Sequence, residues 1–79
     1  MVWRVLEYAE RQWSVSIAAE RRANSPHWNL VFSFRGLDPG QHCFWSEYPL
    51  SSSSRAALFA QAERIPDQTL TDLLAEHLD

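Results

Sequence analysis

At 79 residues and 9.2 kDa the chain holds one domain, which excludes a multidomain enzyme and a doubly wound nucleotide-binding fold. With 46% hydrophobic and 22% charged residues it is too apolar and too weakly charged for intrinsic disorder, and its net charge of −3 disfavours non-specific binding to polyphosphate chains. So small a domain hides a modest share of its surface, so self-association or a partner would add needed burial.

Val2-Trp3-Arg4-Val5-Leu6-Glu7-Tyr8 predicts a first strand, and Ala9 to Gln12 a turn. The clearest signal follows. Trp13, Val15, Ile17 and Ala19 alternate with Ser14, Ser16, Ala18 and Glu20, the period of a half-buried strand. Arg21 to His27 is a connection with Asn24-Ser25-Pro26 inside it. In the third strand Trp28, Leu30, Phe32 and Phe34 share one face, and Asn29, Val31, Ser33 and Arg35 the other. Gly36-Leu37-Asp38-Pro39-Gly40 is a turn by its proline and glycines. A fourth strand from Gln41 to Tyr48 returns along the third.

After Pro49 the period changes. Ser51 to Ser54 offers N-caps, and Ala56 to Arg64 is made of good helix formers. Ile65-Pro66 stops that helix, because the residue before proline avoids the α region. Asp67 can cap a second helix, in which Leu70, Leu73, Leu74 and Leu78 repeat at helical spacing. The expected fold is α+β: a four-stranded antiparallel meander followed by two C-terminal helices on one face (β-β-β-β-α-α). It forms a single domain over 1–79, with the sheet in 1–50 and the helices in 51–79.

Two short helices cover only one face of such a sheet, yet large apolar groups stand on both sides of the first and fourth strands. The uncovered face should then present aromatic side chains, and Trp3, Tyr8, Trp45 and Tyr48 are the expected contact residues. Trp13, Ile17, Trp28 and Phe32 should anchor a core against Leu58, Phe59, Leu70 and Leu74. Nine of the ten aromatic residues fall within the first 48 positions, so the sheet is what uses them.

Catalytic signatures are weak. His27, His42, Cys43 and His77 are the only soft or imidazole donors, and they lack zinc-ligand spacing, so no metal and no cofactor are expected. Cys43 reads as a buried structural thiol rather than a nucleophile. Glu47 has no evident carboxylate partner for acid–base work. Ser51 to Ser54 with Arg55 could hold an anion, although helix capping explains the same residues.

All seven basic residues are arginine. Residues 1–40 carry five against four acids, while residues 41–79 carry two against six. Arg11, Arg21, Arg22 and Arg55 are the candidates for anion or nucleic-acid contact.

A lone cysteine fits a reducing compartment. The charged start of the chain and the lack of a long apolar run fit neither a signal peptide nor a membrane span. The expectation is therefore a cytoplasmic, non-catalytic binding module that works as a homodimer or with a protein partner. The alternative is a single-stranded nucleic-acid-binding protein, and a small enzyme ranks below both.

Overall fold

The computed structural model describes residues 2–38, 40 and 43–78. Strands Arg4–Tyr8 (β1), Arg11–Glu20 (β2), Trp28–Gly36 (β3) and Cys43–Ser52 (β4) form one antiparallel sheet in the order β1-β2-β3-β4. Helices Arg55–Ala62 (α1) and Asp67–Leu78 (α2) follow, as the sequence predicts.

The boundaries differ in informative ways. β2 begins two residues before Trp13, because the first hairpin closes with only Ala9 and Glu10 between the paired Tyr8 and Arg11. Both loop residues have positive φ, 54° and 63°, the backbone of a type I′ turn that the strands' right-handed twist favours. Asn-Gly is the usual sequence there. Ala-Glu hides the turn from composition.

β4 runs four residues past Tyr48. Leu30 pairs with Tyr48 but Asn29 pairs with Ser51, so Pro49 and Leu50 bulge out of the ladder. Proline has no N–H to donate, and a bulge on an edge strand tolerates it. The shift of two residues preserves the in–out alternation of the strand. Gln41, His42 and Pro39, placed by the sequence reading in the fourth strand and its preceding turn, lie outside the described residues.

Register sets the core. Leu6 lies beside Trp13, Val15 beside Phe34, Ile17 beside Phe32, and Phe34 beside Phe44. Val15, Leu30, Phe32 and Phe34 are fully buried beneath Leu58, Leu70 and Leu74 of the two helices. The rings interlock: Phe34 stacks on Phe44 at 4.8 Å, and Trp13 meets Phe44 edge-on at 6.3 Å. His77, near the end of α2, lies flat on Phe44 at 3.6 Å. Trp28 and Ile17 pack against this core half-buried, whereas Phe59 does not join it. Ala62 and Ile65 fill that role instead.

Local capping fixes the helices. Ser54 is the N-cap of α1, its hydroxyl accepting from the Ala57 N–H at 3.2 Å. Ser52 accepts from the Ser54 N–H at 3.2 Å, so two of the four serines are engaged in building the helix start. At the far end of α1 the guanidinium of Arg4 donates to the carbonyls of Ala62, Glu63 and Ile65. The same group reaches Asp67 at the start of α2, 3.0 Å away. One side chain from β1 thereby ties the sheet to the junction between the helices.

Candidate interaction face

Along β2 and β3, alternate residues point away from the helices, and register aligns them with β1 and β4 into rows. From one end the open face reads Glu7–Gln12, then Val5–Ser14–Arg35–Cys43, then Ser16–Ser33–Trp45. It continues with Ala18–Val31–Glu47 and ends with Glu20–Asn29–Ser51. The two central strands put Ser16, Ser33 and Ala18 near the middle of the face, where neighbouring side chains bury Ser14 and Val31, and neither helix packs on this side. Trp45 stands in the middle row on the edge strand, 65% exposed. Val5 is the other large exposed apolar residue of the face, at the opposite edge.

The four aromatic contact residues expected from sequence are therefore divided. Tyr8 shares a face with Leu6, and Tyr48 pairs with the buried Leu30 and packs on Phe32 at 5.4 Å, so both belong to the helix side. Trp3 precedes β1 and escapes its pleat. Its indole stacks on Phe32 at 5.9 Å, and its Nε1 donates to Glu63 at 2.8 Å. The expectation that Trp3, Tyr8 and Tyr48 face away from the helices is corrected; Trp45 remains. Cys43 is corrected as well. It is exposed in the Arg35 row rather than buried, because β4 turns Phe44 inward and Cys43 outward.

The arginines also separate. Arg11 opens the ten-residue β2 and Arg21 follows its last residue, so about 30 Å lies between them at ~3.3 Å per residue. Arg11 joins no basic cluster with Arg21 and Arg22. Arg21 and Arg55 instead converge on Trp28, their guanidinium carbons 5.0 and 5.1 Å from its ring centre. Arg22 lines a shallow concavity of about 600 Å³ at the same end of the sheet, with Ser25, Asn29, Ser51 and Glu47. Glu47 in that wall opposes an anion, and Trp28 is occupied by arginine.

Among the described residues no group of three His, Cys, Asp or Glu side chains could hold a metal ion. His42, one of the four donors weighed from sequence, lies outside them. Among the described residues, no helix is long and apolar enough to cross a membrane.

Arg35 was not singled out by the sequence reading, although its place opposite Phe34 in the alternation was visible. It is exposed, as is Glu47, and neither makes a side-chain hydrogen bond or ion pair among the described residues. Compared with known proteins, the chain matches no family model, no curated protein and no solved structure.

Proposed function

We propose that this chain is a protein-interaction module whose working surface is the open face of the sheet, anchored by Trp45. The observation that carries this reading is a 65% exposed indole in the central row of a face that neither helix covers. Tryptophan concentrates binding energy because it removes a large apolar area from water at small cost in side-chain entropy. Around Trp45 the low relief of Ser16, Ser33 and Ala18 lets a flat partner approach closely. Glu7, Gln12, Glu20, Asn29, Arg35 and Glu47 supply a polar surround. The reading assigns no reaction, cofactor or metal to the face. A free thiol at Cys43 suits a reducing compartment, and the cytoplasm is our proposed location.

Photo-cross-linking in the native host tests this. A benzophenone side chain at position 45 should yield protein adducts, while one at the exposed Gln68 on α2 should not. Absence of adducts from position 45, or equal yield from position 68, would overturn the reading. Nucleic-acid binding is the competing interpretation, favoured by the gathering of Arg21, Arg22 and Arg55 at one end of the sheet. Micromolar binding of a labelled single-stranded oligonucleotide that weakens with added salt would replace the protein-interaction reading.

A further inference from the structure

We infer that the open face is covered by the same face of a second copy. The two-fold axis lies between the sheets and runs across the strands through the Ser16–Ser33–Trp45 row. The inference rests on the reading of this face as the working surface and adds the identity and orientation of the occupant.

Charge carries the orientation. Arg35 sits one row to one side of the central row, and Glu47 sits one row to the other side on the neighbouring strand. A two-fold axis across the strands exchanges these rows, bringing Arg35 of each copy beside Glu47 of the other. Sheets packed ~10 Å apart leave a gap that an arginine and a glutamate side chain together can span. A two-fold axis along the strands keeps each row facing itself. It would set Arg35 close to Arg35 one row from the centre of the face, a juxtaposition that disfavours that arrangement. Glu7 and Glu20 come to neighbouring positions in the favoured arrangement, but both lie at the end rows, where water screens them.

Size and shape agree. Four strands ~4.8 Å apart, the central ones nine and ten residues long, give a face of roughly 500 Å² per copy. Pairing two such faces removes on the order of 1,000 Å² from water, the lower end of specific interfaces, so a reversible, concentration-dependent dimer is expected. Both Trp45 rings then meet at the axis, and the serines of the central row leave room for them between the sheets.

The purified 79-residue chain tests this. Light scattering should show the 9.2 kDa species doubling in mass as concentration rises to about 1 mM. Arg35→Glu and Glu47→Arg should each weaken the dimer at least tenfold, and the two together should restore it. A short bismaleimide should join two copies of the Cys43→Ser, Trp45→Cys variant across the gap. It should fail with the native Cys43, because two such thiols would stand about 16 Å apart. A dimer in which the double charge reversal does not rescue and position 45 does not cross-link overturns the orientation. A chain that stays 9.2 kDa throughout overturns self-association. In that case host-protein adducts from position 45 would leave the broader interaction reading standing, and their absence would remove both.

Discussion

Replacing Arg4 separates two accounts of what its guanidinium contributes. It donates to the carbonyls of Ala62, Glu63 and Ile65, at 3.4 and 3.0 Å for the first two, and pairs with Asp67 at 3.0 Å. The Arg4 side chain is 17% exposed whereas that of Asp67 is 68% exposed. Solvent screens the ion pair, which is then worth well under ~1 kcal/mol. Hydrogen bonds from a charged donor contribute ~1.5–3 kcal/mol each, but bonds that share one guanidinium do not add. Arg4→Met keeps the aliphatic stem and strands the three carbonyls, part of whose loss water recovers. The expected cost is about 2–4 kcal/mol. For a domain of this size that lowers Tm by roughly 10–25 °C. Asp67→Asn should cost less than ~1 kcal/mol, its contribution from the first turn of α2 included. Thermal and urea unfolding followed by circular dichroism, at a concentration where the chain does not associate, gives both values. The reasoning fails if the two substitutions cost the same, or if high salt alone reproduces the Arg4→Met loss.

The Ala9-Glu10 hairpin offers a gain. Changing it to Asn-Gly relieves two side chains held at positive φ, and Tm should rise by about 4–8 °C for each kcal/mol recovered, with ~1–2 kcal/mol expected. Leu74→Ala empties a fully buried position of α2 and should cost ~2–5 kcal/mol in urea unfolding. At a concentration where the chain does not associate, iodide should quench Trp45 strongly and Trp13 hardly at all, since their exposures are 65% and 3%, so Trp45→Phe should remove most of the accessible emission. Under the same dilute conditions Cys43 should react with a thiol reagent in the native protein at a rate near that of the unfolded chain.

Much of the architecture was legible because it rests on local physics. Trp28, Leu30, Phe32 and Phe34 on one parity can only be a strand with a buried side, and Leu70 with Leu74 can only be the inner stripe of a helix. Ser54 caps the start of α1 as its place before the helix formers suggests, but α1 ends at Ala62, short of the Arg64 that a stop at Ile65-Pro66 predicts. The interaction residues were less legible, because period two divides a strand into two sets without saying which set turns inward.

Composition and periodicity thus determined the element types, their order and a sheet that two helices cover on one side. Tertiary structure decided which side each ambiguous strand shows. β1 has apolar residues on both parities, and its pairing with β2 places Leu6 beside Trp13, which sends Tyr8 inward and Val5 outward. β4 follows Phe44 into contact with Phe34, which leaves Cys43, Trp45 and Glu47 outside. Trp3 precedes the paired register, its N–H still bonded to the Val15 carbonyl, and its side chain turns to Phe32 and Glu63. Facing is a property of pairs of strands and of the lid above them. No single strand encodes it, because the free energy that selects a face comes from the neighbours it packs against.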